Sequence, residues 1–351
     1  MVAHVQTVTG PVDPGELGGV LSHEHLLALT PGPWLSGGPR PDRATDGRAD
    51  TDAFEQEQVR LAVDALSGLA GHGIGTVVDL SPYGDAGRDI RGANVRLLQE
   101  ISRRSGLHIV SGTATYREGF SPAWVKEASV EEIADRFVQD ARSGIGGTGV
   151  RAGILGELPT GLNEVTAHEL KGLRAAARAH HATGLAVNTH TTHGTMALEQ
   201  IDLLTKEGVD PDRIVIGHMD NHPDLDYVRR VLDRGVTIAF DSVGKQTWDV
   251  RLPPAPGPQA DGGYTKDAVR QSDATRADRL AALVAEGHGE RILLSQDLTG
   301  GQVHQNPTTH GQWGYTYLSA VFLPMLTERG ITPAQLHALT HTTPARLLTL
   351  D

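Results

Sequence analysis

The residues of this chain suited to chemistry are histidines and carboxylates, each at the end of a short apolar run. Ser22-His23-Glu24-His25 closes the first such run, and alternation along a strand puts His23 and His25 on one face. Two neutral imidazoles meeting at one point suit a divalent cation, although a His-x-His pair by itself is equally at home on a surface strand. The pattern recurs in Val187-Asn188-Thr189-His190, Ile216-Gly217-His218 and Leu294-Ser295-Gln296-Asp297. Ile154-Leu155-Gly156-Glu157 adds a carboxylate that can bridge two cations about 3.5–4 Å apart. Taken singly, each is as well explained by a satisfied core histidine, an N-cap aspartate or a capping glutamate. Their recurrence at corresponding positions points to a shared metal site. Pro159 and Gly161 argue against a helix for Glu157 to cap.

Two divalent cations at such a site lower the pKa of a shared water and polarise the oxygen under attack. Asp297 is then placed to take the proton. The chain has no cysteine, which excludes thiol nucleophiles, thiolate zinc ligands and disulfides, and it has no Gly-x-Ser-x-Gly nucleophile elbow.

The elements that must position these residues are legible as eight strand-like runs: Gly19 to Leu21, Thr76 to Asp79, His108 to Ser111, Ala152 to Leu155, Ala186 to Thr189, Ile214 to Gly217, Thr237 to Phe240 and Ile292 to Ser295. Amphipathic stretches lie between them, including Phe54 to Leu69, Val130 to Ser143, Glu169 to Thr183 and Arg276 to Glu286. Ser129 with Glu132 and Thr166 with Glu169 read as capping boxes. Apolar strands alternating with helices imply a parallel sheet buried on both faces, and eight of them imply a (β/α)8 TIM barrel, an α/β fold, with a doubly wound open sheet as the alternative. The 351 residues suit one such barrel domain over 1–351. Three segments rich in Gly and Pro, Thr30 to Ala49, Asp249 to Asp273 and Leu298 to Gly314, follow strands one, seven and eight and are expected to be long loops shaping the pocket.

Net charge is 31 minus 43, or −12, without a basic block, so nucleic acid and anionic membrane surfaces are poor partners and a small molecule is the expected one. The first ten residues lack a cationic and apolar leader, no run approaches a membrane span, and the expected location is cytoplasmic.

With these motifs assembled, the chain resembles the phosphotriesterase family of the amidohydrolase superfamily. The resemblance runs from Leu21-Ser22-His23-Glu24-His25 through Thr76-Val77-Val78-Asp79, Gly149-Val150-Arg151-Ala152-Gly153-Ile154, Thr189-His190-Thr191, Ile216-Gly217-His218 and Asp297 to Thr343-Pro344-Ala345-Arg346. It implies that His23, His25 and Asp297 hold one metal, His190 and His218 the other, and that Glu157 bridges both. The family's best-known members bridge with a carboxylated lysine, which falls at Gly156 here. A shift of one residue reverses a side chain's direction in a regular strand, so a local bulge is expected, and Gly156 permits one. The chain is therefore similar to the glutamate-bridged branch, the phosphotriesterase homology and phosphotriesterase-related proteins. The carboxylate and histidine that relay protons in organophosphate hydrolases correspond to Asn221 and Ser242, which disfavours triester hydrolysis.

Around the metals, Lys245 of Asp241-Ser242-Val243-Gly244-Lys245 is expected to bind a substrate carboxylate or phosphate, with Tyr116 and His304 as further pocket residues and His193, His222, His310, Trp313 and Tyr315 in the background. The resemblance implies two divalent ions, zinc by default with Mn2+, Co2+ or Fe2+ as substitutes, and a homodimer. The expected reaction is hydrolysis of a small ester or lactone, with N-acyl amide or phosphoester hydrolysis as alternatives and a metal-stabilised binding protein as the reading outside enzymes.

Overall fold

A computed structural model of the chain describes residues 2–28, 51–84, 87–245, 248–252, 268–305 and 314–351. Strands β1 (His4–Thr7) and β2 (Gly10–Val12) pair as an antiparallel hairpin ahead of the main sheet. That sheet is parallel and eight-stranded: β3 (Gly19–Glu24), β4 (Ile74–Asp79), β5 (His108–Thr113), β6 (Ile154–Thr160), β7 (Val187–Thr191), β8 (Ile214–Ile216), β9 (Thr237–Phe240) and, beyond a short ribbon of β10 (Val250–Leu252) and β11 (Ala268–Arg270), β12 (Ile292–Leu294). Each strand hydrogen-bonds to the next. The two ends meet where Asp297 N–H donates to the His23 carbonyl at 3.0 Å and His25 N–H to the Leu298 carbonyl at 2.9 Å. The sheet is thus a nearly closed (β/α)8 barrel, and the open sheet is excluded.

Alternation explains how this sequence builds it. Val20, Val78, Val110, Ile154, Ala186, Val215, Ala239 and Leu293, one per strand position, pack together inside the barrel, joined by Val5, Leu17, Leu347 and Leu348 from its amino end. Their neighbours Leu21, Val77, Ile109, Leu155, Val187, Ile216, Phe240 and Leu294 face the other way, into the larger core beneath the helices. The amino end is closed by β13 (Thr349–Leu350), which pairs with β1, so both termini of the chain seal the same end.

Both capping boxes form, with Ser129 and Thr166 Oγ accepting from the backbone of Glu132 and Glu169 and the glutamates accepting in return. The fourth strand, expected to end at Leu155, runs on to Thr160, because β7 continues to offer it backbone partners up to Thr191. The segment Asp249 to Asp273 is not all loop: β10 and β11 pair antiparallel within it, and Asp273 opens the helix Asp273–Ala285 behind the N-cap Ser272. Strands of three residues are too short to leave an alternation signal. Likewise Leu298 to Gly314 contains the helical turn Gly301–Gln305. The expected loop Thr30 to Ala49 lies outside the described residues, as do 253–267 and 306–313. Among the described residues, no helix is long and apolar enough to cross a membrane.

Candidate metal centre

Two strands deliver their candidate ligands by breaking the regular alternation. In β3, Leu21 pairs with Val77 but Glu24 with Asp79, so three residues span two of the neighbour's, and the extra residue turns His23 and His25 to the barrel axis. Strand β6 does the same: Leu155 pairs with Val187 and Leu158 with Thr189. The expected bulge therefore falls at Gly156-Glu157. A Cβ on Gly156 would lie 2.7 Å from the Asn188 Cβ, which is why only glycine fits there. Strand β7 is regular, with Asn188 and His190 both inward. Two further residues stand just past their strands in the left-handed region, His218 at φ 60° and Asp297 at φ 49°, each costing about 1–3 kcal/mol that the surrounding bonds must offset.

The six residues meet. Glu157 is the hub: its Oε2 lies 2.9 Å from His190 Nδ1, 3.4 Å from His23 Nε2 and 3.6 Å from His218 Nε2, and its Oε1 lies 3.4 Å from His25 Nε2. Asp297 Oδ1 stands 3.0 Å from His25 Nε2 and 3.6 Å from His23 Nε2. The rings of His23 and His218 are 5.1 Å apart, close enough to share one centre. Of the remaining candidates, buried Tyr116 brings its hydroxyl to 3.3 Å from His190 Nδ1. The Lys245 ammonium is hydrogen-bonded to the outer oxygen of Asp297, Oδ2. His304 belongs to the Gly301–Gln305 turn, but its side chain lies outside the described residues, as do His310 and Trp313. His222 is turned aside and stacks on Tyr227 with ring centres 4.1 Å apart. Tyr315 is buried in the core beside the barrel, and His193 is buried in the loop after β7.

Two functional-looking residues escaped the sequence reading. Asp241, fully buried at the end of β9, binds His218 Nδ1 with one oxygen and His23 Nδ1 with the other, both at 2.8 Å. A carboxylate there accepts N–H from both rings, which fixes their tautomers and aims both Nε2 lone pairs at Glu157. The rule that picked out the candidate ligands, a polar residue directly after an apolar run, applies to Phe240-Asp241 as well. Glu24, by contrast, faces away from the centre. It accepts from Ser295 Oγ at 2.8 Å and from the N–H groups of Gln296 at 3.0 Å and Leu298 at 2.7 Å, tying the first strand to the loop that carries Asp297. Burial pushes its carboxyl up to about 7.

The electrostatics of the cluster call for a cation. Burial disfavours a charged His23, yet Asp241 and Glu157 outweigh it and raise the imidazole to about 10. His218 is raised well above its ordinary value against the same burial, chiefly by Asp241. Burial would protonate Glu157, but His190 and His23 hold it well below the usual carboxylate range. Asp297 is held low in the same way by Lys245 and His25. Three carboxylates, Asp241 and Glu157 buried and Asp297 partly so, thus demand positive charge, and ring protons together with Lys245 supply it. Meanwhile His23 Nε2 is buried without a hydrogen-bond partner, and His190 Nδ1 stands only 2.8 Å from His218 Nε2. His23 with His25 and Asp297, and Glu157 with His190 and His218, each present ligand atoms within 4.8 Å of one another. Imidazole nitrogens converging on carboxylate oxygens fit a divalent ion.

The sequence profile of the phosphotriesterase family matches residues 3–348. The chain belongs to the phosphotriesterase family. Among its relatives, the phosphotriesterase homology protein of Escherichia coli is 30% identical over 329 residues, covering 94% of this chain and 97% of that one. The crystal structure of that protein with phosphate in its active site superposes with a TM-score of 0.74, at 28% identity over 96% of this chain and all of the other. The N-acetyltaurine hydrolase of Salmo salar is 26% identical, covering 98% of this chain and 97% of that protein. A protein engineered for organophosphate hydrolysis from a weak promiscuous lactonase template is 31% identical, with a TM-score of 0.76 over 98% and 99% of the two chains. Relatives within the family are hydrolases acting on small molecules.

Proposed function

We propose that this phosphotriesterase family member is a binuclear metal-dependent hydrolase of a small ester or lactone, with one catalytic domain over 1–351. The observation that carries the reading is the hub at Glu157, whose two oxygens face all four imidazoles and so suit a bridge between two ions. His23, His25 and Asp297 would hold one ion and His190 and His218 the other. Bound there, such ions supply hydroxide near neutral pH and draw electron density from the oxygen of the bond to be cleaved. The protein's part is to hold and move protons. Asp241 keeps both Nδ1 atoms protonated, so that His23 and His218 present lone pairs inward. Asp297 has one oxygen toward the histidines and the other on Lys245, a geometry suited to accepting the proton of the attacking water and passing it to the leaving group. The Lys245 ammonium holds that carboxylate ionised and is near enough to share itself with an anionic group on the substrate. Zinc is the natural ion for four imidazoles, with Mn2+, Co2+ or Fe2+ as substitutes. The reading takes the enzyme to be a cytoplasmic homodimer.

The ester or lactone preference rests on two supports. Asn221 and Ser242 stand where organophosphate hydrolases relay protons, and neither can carry a proton as a carboxylate or imidazole does. The lactonase-derived protein is also similar to this chain over nearly its whole length. A second reading, cleavage of an N-acyl amide bearing a remote anion, draws on the similarity to N-acetyltaurine hydrolase. Metal-depleted and zinc-reloaded protein, assayed on lactones, N-acyl amino acids, N-acyl sulfonates and phosphoesters, separates these. Zinc-restored turnover of lactones or esters is expected. Turnover confined to N-acyl compounds puts the amide reading in its place, and no zinc-dependent turnover on any of them overturns both.

A further inference from the structure

The loop that carries Lys245 is fastened from below by a guanidinium that touches none of the candidate metal ligands. Arg276, in the first turn of the helix Asp273–Ala285, is 1% exposed and among the largest fully buried side chains. Its Nε donates to Asp220 Oδ2 at 2.6 Å, its Nη1 to Asp273 Oδ1 at 2.9 Å and its Nη2 to Asn221 Oδ1 at 3.1 Å. Each of these three partners holds the Asp241-to-Lys245 turn in its turn. Asp220 Oδ2 accepts the Ser242 N–H at 3.2 Å, Asn221 Nδ2 donates to Ser242 Oγ at 2.7 Å, and Asp273 Oδ2 accepts the Gly244 N–H at 3.0 Å. The Tyr317 hydroxyl donates to the same Asp273 oxygen at 2.9 Å. Arginine is suited to this task because its planar fork donates in several fixed directions at once, and it is always charged.

The direction of the bonds matters. Arg276 can only donate, so Asn221 must turn its oxygen to Arg276 and its NH2 to Ser242. The backbone of Ser242 and Gly244 is thereby fixed by acceptors that Arg276 orients. Gly244 stands at φ 85°, a conformation favourable only to glycine, and leads directly into Lys245. Lys245 N–H donates back to the Ser242 carbonyl at 3.4 Å, closing a tight turn whose side chain reaches Asp297.

We infer that Arg276 is a positioning residue for the reaction: through Asp220, Asn221 and Asp273 it sets the Asp241-to-Lys245 turn and so holds the Lys245 ammonium on Asp297. This rests on the proposed hydrolase only where turnover is measured. Removal of Arg276 outright leaves two buried carboxylates without their cation and endangers folding, so the test uses Arg276→Lys, which keeps the charge but loses the fork, and Asp273→Asn. Amide exchange of the purified protein, followed by mass spectrometry, reads the turn without any metal or substrate. Peptides covering 241–245 should exchange faster on the order of tenfold in both variants, while those covering β4 and β5 stay as in the parent. Unchanged exchange in 241–245, or a rise of equal size across the whole chain, overturns the inference.

A double-mutant cycle then tests the link to Lys245. Whatever substrate the zinc-loaded protein turns over, Arg276→Lys should lower kcat/KM about tenfold in the parent and by less than about twofold in a Lys245→Ala background. Equal losses in both backgrounds mean that Arg276 does not act through Lys245, and overturn the inference even if the exchange result holds. Absence of turnover on every substrate sinks the hydrolase reading instead and leaves the exchange measurement to decide the positioning role of Arg276.

Discussion

The two ends of this barrel are built from the same eight strands but follow opposite rules. At the amino end every strand contributes an apolar residue to the interior, and β1, β13 and the helix Thr343–Leu348 cover it. At the carboxyl end alternation breaks twice, in β3 and β6, two candidate ligands adopt left-handed backbone, and the interior is lined with imidazoles and carboxylates. Regular geometry stores the stability that irregular geometry at the other end uses up. Perturbations at the two ends should therefore separate into losses of folding and losses of chemistry.

The largest expected effect is chemical. Glu157→Ala should lower bound metal and reduce turnover on the order of a thousandfold, because the carboxylate facing all four histidines is gone. Metal analysis alongside rate settles it, and a variant retaining the parent's metal content and full activity would remove Glu157 from the centre. Next comes the opposite end. Leu293→Ala, in the interior layer, should cost about 2–5 kcal/mol of stability in denaturant unfolding, while kcat per folded molecule stays as in the parent. A comparable fall in kcat would show that the two ends are not separable.

Between these lies Asp241→Asn, which keeps the shape but can no longer accept N–H from both His23 and His218. It should weaken metal binding or activity about 10–100-fold with little change in the melting temperature. If melting falls while metal affinity holds, Asp241 belongs to the fold and not to the site. Lys245→Ala should raise KM for an acidic substrate about tenfold beyond any change seen on its neutral analogue. Equal changes on both would confine Lys245 to Asp297. The smallest effect is expected at Thr166→Ala, which removes one half of a capping box and should cost about 1 kcal/mol with kinetics unaltered.

How much of this the sequence revealed follows the same division. The amino-end half was legible because its signal is local: Val20, Val78, Val110 and Ile154 each sit beside an apolar neighbour that faces the other core, and the eight strand runs lay close to where the structure has them. His190 was readable for the same reason, being in register with Asn188 on a regular strand. The bulge at Gly156 was inferred only by comparison with a lysine-bridged relative, and the one in β3 was not inferred at all, since a His-x-His pair looks regular either way. Asp241 escaped because it binds the candidate ligands themselves, and the joint presence of His23 and His218 on its two oxygens depends on strands far apart in sequence. The pairing of Lys245 with Asp297 and the Arg276 anchorage were hidden for the same reason, spanning 52 and 56 residues. The ribbon of β10 and β11 was too short to announce itself.

The apolar layer one residue deep on every strand also makes the barrel a cup and not a tube. Among the described residues, the side chains of Val20, Val78, Val110, Ile154, Ala186, Val215, Ala239 and Leu293 form a floor between the Glu157 centre and the amino end. For the hydrolase proposed above, reactant, water and both fragments of the cleaved bond would then share the doorway at the carboxyl end. The last fragment to leave obstructs the next arrival, so product should compete with substrate for the empty enzyme, and turnover is expected to be set by traffic through that doorway wherever bond cleavage is fast.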